Sequence, residues 1–125
     1  MRTSALVMVL CSLLLLIQWP HSALGHALLV RAEPKVGERV STPPATVRIW
    51  FDSALEPSLC KIHVRDPNGK QVDNDDSRVN PSDEKLLEVS LPSLPPGVYH
   101  VLWSVVSRDG HKTNGDYVFT IKPGN

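Results

Sequence analysis

Cysteine is scarce in this chain, with two residues in all, and only Cys60 lies outside the apolar run near the amino terminus. Once Cys11 leaves with that run, no intramolecular disulfide is possible and the fold has to stand on its packed core. Charge of one sign is not in excess either, since 13 Lys and Arg face 13 Asp and Glu. That balance argues against a nucleic-acid partner and gives no attraction to an anionic membrane surface. The longest apolar stretch, Ala5 to Ile17, has about 13 residues against the roughly 20 of a membrane-spanning helix. No helical period of useful length follows it, and neither a repeat nor a low-complexity tract interrupts the rest.

What is present begins with Arg2, the apolar stretch, Pro20, and the small residues Ala23 and Gly25 at positions −3 and −1 of a cut. This is the order of parts in a secretory signal peptide, so residues 1–25 are expected to be a cleaved signal and residues 26–125 the mature domain. The residues before Cys11 are too few and too bulky for a lipoprotein signal, and no lipid anchor is expected. A cut after Gly25 makes His26 the first residue and frees its α-amino group beside its own imidazole. A cut after Ala23 instead leaves Leu24 first and locks the His26 nitrogen in an amide.

The mature chain of roughly 100 residues has room for one domain. Short runs rich in valine, isoleucine and aromatics alternate with proline, glycine and aspartate clusters, the pattern of an all-β sandwich. Strands are predicted near Leu28 to Arg31, Thr46 to Phe51, Leu59 to Val64, Lys85 to Leu91, Val98 to Val106 and Tyr117 to Ile121. Val47, Ile49 and Phe51 alternate with Thr46, Arg48 and Asp52 as a half-buried strand should. Asp66-Pro67-Asn68-Gly69 has the residue types of a turn, and the polar stretch from Asp73 to Pro81 is expected to be an exposed loop. The run from Val98 is apolar on both faces, which predicts a central strand. Cys60 shares the face of Ile62 and Val64 and is expected to pack as a small apolar residue rather than bind metal.

Of the five histidines, His21 leaves with the signal. His63 and His100 lie within alternating strands and are expected to be surface or satisfied core residues. His26 and His111 have better company. In Ser107-Arg108-Asp109-Gly110-His111 a carboxylate and an imidazole stand two residues apart across a glycine that lets the loop bend. If the fold brings His26 beside that loop, a metal would meet the amine and imidazole of His26, the imidazole of His111 and a carboxylate oxygen of Asp109. Three nitrogens and one oxygen suit Cu(II) best, whereas zinc prefers a tetrahedron and calcium or magnesium more oxygens. The plainer reading of Asp-Gly-His is a turn in which the aspartate bonds its own backbone.

The start His26-Ala27-Leu28-Leu29-Val30, the strand Val47-Arg48-Ile49-Trp50-Phe51, the stretch from Pro96-Gly97-Val98-Tyr99 through Trp103 to Ser107-Arg108-Asp109-Gly110-His111, and the closing Gly115-Asp116-Tyr117-Val118-Phe119-Thr120-Ile121 resemble the CopC family of periplasmic copper-resistance proteins. The resemblance implies a Greek-key β-sandwich or barrel of immunoglobulin-like, cupredoxin-like form. It also implies one Cu(II) held by His26, Asp109 and His111. Two departures stand out. Some members bind Cu(I) in a methionine-rich loop, but the methionines here are Met1 and Met8, so no such site is expected. Members often carry Phe-Ser-Glu where this chain has Phe51-Asp52-Ser53, so a carboxylate near the metal is expected to be missing or displaced.

The function expected from the resemblance is a non-enzymatic periplasmic carrier, a monomer that sequesters Cu(II) and hands it to a CopD-like inner-membrane transporter. A copper-dependent oxidative enzyme of the lytic polysaccharide monooxygenase type is one alternative, because such enzymes also start with histidine on a β-sandwich. An immunoglobulin-like assembly module with incidental histidines is the other.

Overall fold

Alternation along the chain is what builds the two layers. In the computed structural model, which describes residues 27–124, eight strands form two four-stranded sheets. They are β1 (Leu29–Glu33), β2 (Arg39–Val40), β3 (Thr46–Phe51), β4 (Lys61–Arg65), β5 (Arg78–Asn80), β6 (Asp83–Ser90), β7 (Gly97–Val106) and β8 (Lys112–Ile121). One sheet has the order β1-β3-β6-β5 and the other β2-β8-β7-β4. Neighbours pair antiparallel except β2, which runs parallel to β8. This is the strand order of immunoglobulin-like sandwiches, with β2 as a short addition. The only helical element among the described residues is a 3-10 turn at Pro57–Leu59.

Every second residue of the long strands turns inward. Val47, Ile49 and Phe51 of β3, with Leu87 and Val89 of β6, meet Ile62 and Val64 of β4, Tyr99, Val101 and Val105 of β7, and Phe119 and Ile121 of β8 in one buried cluster. Tyr99 stacks on Phe119 with centroids 5.6 Å apart, and its hydroxyl donates to the Pro95 carbonyl at 2.6 Å. That bond ties the start of β7 to the preceding corner, as tyrosine does in sandwiches of this type. Cys60 is buried as expected. Its Sγ donates to the Glu56 carbonyl at 3.2 Å, and burial, the main influence, raises the thiol pKa.

The turn at Asp66–Gly69 is as expected. Asp66 Oδ1 accepts from the Asn68 and Lys70 N–H groups, and Gly69 takes φ +82°.

Four expectations need correction. β2 carries no apolar period and was not foreseen; only its pairing with the end of β8 makes it a strand. The stretch Asp73 to Pro81 is not all loop, because β5 pairs with β6 inside it, with Arg78 reaching Glu88 Oε1 at 3.2 Å. β8 begins at Lys112 and not at Tyr117, since β7 extends an unbroken ladder to Lys112. β7 is interior in its sheet, but only one face is buried: Val98 and His100 point to solvent.

Candidate metal centre

The β7–β8 hairpin closes through residues 107–111, and its geometry is set by one buried hydroxyl. Ser107 is 2% exposed. Its N–H donates to the His111 carbonyl at 3.0 Å, and the Gly110 N–H donates back to the Ser107 carbonyl at 2.8 Å. Gly110 sits at φ +90°, a left-handed conformation that glycine adopts at little cost. The Ser107 hydroxyl donates to Asp109 Oδ1, which also accepts the His111 N–H at 3.2 Å. His111 Nδ1 lies 3.2 Å from the same oxygen. The structure therefore brings Asp109 and His111 together on one side of a short loop. It also shows the aspartate bonding its own backbone, so the turn and the paired donors coexist.

These bonds have an electrostatic result. The Ser107 hydroxyl first, and the His111 backbone N–H second, stabilise the charged carboxylate and hold Asp109 down to about 2. It is a charged oxygen donor throughout the physiological range.

The loop is fastened to the other sheet. The Arg108 N–H donates to the Ala54 carbonyl at 3.0 Å, Leu55 and Ser107 form a single antiparallel bridge, and the Arg108 guanidinium reaches Glu84 at 3.1 Å.

His26, the third expected ligand, lies outside the described residues. The residues that follow it are held in place, however. Ala27 is fully buried and its carbonyl accepts from Thr113 Oγ1 at 2.8 Å. Leu28 is held twice by Asp52: its N–H donates to Asp52 Oδ1 at 2.8 Å, and its carbonyl accepts the Asp52 N–H at 3.0 Å. Thr113 stands two residues beyond His111, so the start of the described chain is clamped between the end of β3 and the start of β8, next to the hairpin loop. By sequence Asp52 is marked only as an altered carboxylate position, and Thr113 carries no signal at all. In the fold both anchor the amino-terminal segment.

The other two histidines sit on strands away from this loop. His100 is exposed and pairs with Asp116 Oδ2. His63 is half-buried on β4 near Asp73.

A family model for the CopC domain matches residues 29–122. The chain belongs to the CopC family. Among proteins similar to this CopC-family chain is the Copper transport protein CutJ of Bacillus subtilis, 33% identical over 110 residues. That match takes in 87% of the present chain but only 20% of CutJ, so the chain spans a fifth of that relative's length. The solved CopC from Methylosinus trichosporium OB3b superposes with a TM-score of 0.75 at 32% identity, covering 80% of this chain and 97% of that one. PcoC, a methionine-rich copper resistance protein from Escherichia coli, gives 0.67 at 26% identity over 78% of this chain and all of PcoC.

Proposed function

We propose that the protein is an exported, non-enzymatic copper carrier that holds one Cu(II) through the amine and imidazole of a mature amino-terminal His26, the carboxylate of Asp109 and the imidazole of His111. One observation carries this reading: the Thr113 hydroxyl pins the carbonyl of buried Ala27 two residues from His111. Covalent bonding alone keeps the α-carbon preceding Ala27 within about 3.8 Å of it. The clamp on Ala27 supports residue 26 as a ligand beside the hairpin loop.

The donor set fits copper as cargo. A charged carboxylate oxygen with three nitrogens suits Cu(II) among the common divalent ions, and the paired Asp109 and His111 are already oriented by Ser107 and the loop backbone. Cleavage after Gly25 supplies the amine, which puts residues 1–25 in the role of signal and the mature chain in the periplasm. The names of the relatives, copper transport and copper resistance, support sequestration as the role. The match to one part of the longer Copper transport protein CutJ supports a role in copper transport, and the proposal extends this to delivery by a monomer to a CopD-like inner-membrane transporter.

The test is Cu(II) titration of the mature protein against His111→Ala. Loss of one ligand is expected to weaken binding by about two orders of magnitude or more, since even removing outer support for a metal ligand costs about 10–100-fold. Equal affinity in the two proteins contradicts the assignment.

A further inference from the structure

β4 is the free edge of its sheet, and the way that edge is covered assembles a second set of metal donors. An exposed strand edge offers unpaired N–H groups that a folded protein has to satisfy or shield. Here the segment after the 66–69 turn folds back along β4 and satisfies them. Ser77 Oγ accepts the Ile62 N–H at 2.9 Å, and Asp73 Oδ2 accepts the Val64 N–H at 2.8 Å. The Asp73 side chain is completely buried by this, and its Oδ1 accepts the Asp75 N–H at 2.9 Å. The carboxylate is therefore rigid and turned toward the outward-facing His63 of β4.

His63 does not complete that arrangement. Its Nδ1 is buried from solvent and has no hydrogen-bond partner, although the residue as a whole is partly exposed. The nearest acceptor, Asp73 Oδ2, is 3.8 Å away, well beyond the 2.7–3.2 Å of an N–H···O bond. If Nδ1 carries the proton, its donor is wasted; if it carries the lone pair, two acceptors face each other. A cation between them resolves the second case directly, and the first once the ring proton moves to Nε2 or is released to water. Donors bound at about 2.0–2.2 Å to one tetrahedral ion stand about 3.3–3.6 Å apart, close to the gap observed. The exposed Asp75 adds a third donor, and one ligand atom from each of His63, Asp73 and Asp75 lies within 4.8 Å of the others.

We infer that His63, Asp73 and Asp75 form a second metal site, distinct from the hairpin loop, that takes a borderline divalent cation. One imidazole and two carboxylates do not suit Cu(I), which wants sulfur, and offer too few oxygens for Ca(II) or Mg(II). The tetrahedral donor spacing suits Zn(II), while the general order of affinities favours Cu(II), so both ions meet the requirement. Three protein donors leave the remaining positions to water, so this site fills after a four-donor site. It is also remote from the first: His63 pairs with Leu102, and from Leu102 to Ser107 the strand runs about 17 Å. The existence of the site does not depend on the copper-carrier reading; its place in the order of filling does.

Cu(II) is paramagnetic and broadens amide resonances near it, which makes it a suitable probe. The experiment titrates Cu(II) into the mature native chain, His63→Gln and Asp75→Asn, and follows three groups of amides: 109–113, 63 with 73–75, and 100 with 116. In the native chain the second group is expected to broaden above one equivalent, before the exposed His100–Asp116 pair. His63→Gln abolishes that broadening and leaves the 109–113 response intact. Asp75 is used by the fold only through its backbone N–H, so Asp75→Asn is the variant that leaves β4 undisturbed. It is expected to weaken the second binding event by about tenfold or more, the range that altered metal surroundings command. Amides 63 and 73–75 that stay sharp, that broaden no earlier than 100 and 116, or that broaden equally in His63→Gln would overturn the site. Failure of the carrier reading shows separately, in the 109–113 group.

Discussion

Replacing Gly115 by alanine tests how tightly the start of β8 is built. Gly115 pairs with Trp103 across the β7–β8 ladder. A Cβ there would stand 2.4 Å from Trp103 Cζ2 and 2.8 Å from Cε2, where carbon atoms in contact want about 3.5–4.0 Å. The indole has to withdraw by about 1 Å, and it is not free to do so. Trp103 packs edge-on against Phe51 with centroids 5.1 Å apart and planes at 72°, and Phe51 is in the buried core. Overpacking of this kind costs about 1–3 kcal/mol, and a clash this deep belongs in the upper half of that range. An opposing effect exists, because Gly115 is not in the left-handed region and alanine at such a position stabilises by about 0.4–1 kcal/mol through the unfolded chain. The net loss is about 1–2.5 kcal/mol, which lowers the melting temperature of a domain this size by about 4–20 °C. Thermal denaturation followed by circular dichroism measures it. Trp103→Phe in the same background should recover part of the loss, giving a coupling between the two sites. A Gly115→Ala protein that melts at or above the native temperature refutes the reasoning, because the entropic gain would then outweigh the clash.

Thr113→Val keeps the shape of the side chain but removes the donor to the Ala27 carbonyl. A hydrogen bond contributes about 0.5–1.5 kcal/mol, so Cu(II) binding should weaken up to about tenfold, and unchanged affinity would detach this clamp from the site. Acidification should release copper through the nitrogen donors, since Asp109 is held to about 2 and stays charged well below neutrality. The sign for stability follows the same shift: a depressed carboxyl contributes fully above its ordinary pKa of about 4 and loses that contribution as pH falls toward 2. Copper release followed by competition from pH 8 to pH 3 should therefore have its midpoint above pH 4; copper still held at pH 3 would make Asp109 the titrating ligand.

The parts of the fold that were legible are those where one face is apolar and the other polar. Thr46 to Phe51 matches β3 at both ends because Val47, Ile49 and Phe51 share one face and Thr46 and Arg48 lie on the other, with Trp50 the one apolar residue there. The first half of β8 was not legible, since Lys112, Asn114, Gly115 and Asp116 are poor strand formers on their own. Their ladder to β7 is what makes them strand. β5 was hidden for a related reason: its charged and polar residues are held through Glu88 rather than through a core face. Asp109 and His111 could be paired from sequence because they sit two residues apart across a flexible glycine. The grouping of His63 with Asp73 and Asp75 could not, because it depends on side chains bonding to the backbone of a strand edge. Nor does any sequence pattern announce that Thr113 and Asp52 hold Ala27 and Leu28.

The central claim is that the amine of His26 is a copper ligand. The direct measurement is intact mass and Cu(II) titration on protein exported through its own leader, compared with a version bearing one extra residue before His26. The native chain is expected to begin at His26 and bind one Cu(II) tightly, and the extended chain to bind far more weakly because its His26 nitrogen is an amide. A mature chain that starts elsewhere, or equal affinity in the two proteins, contradicts it.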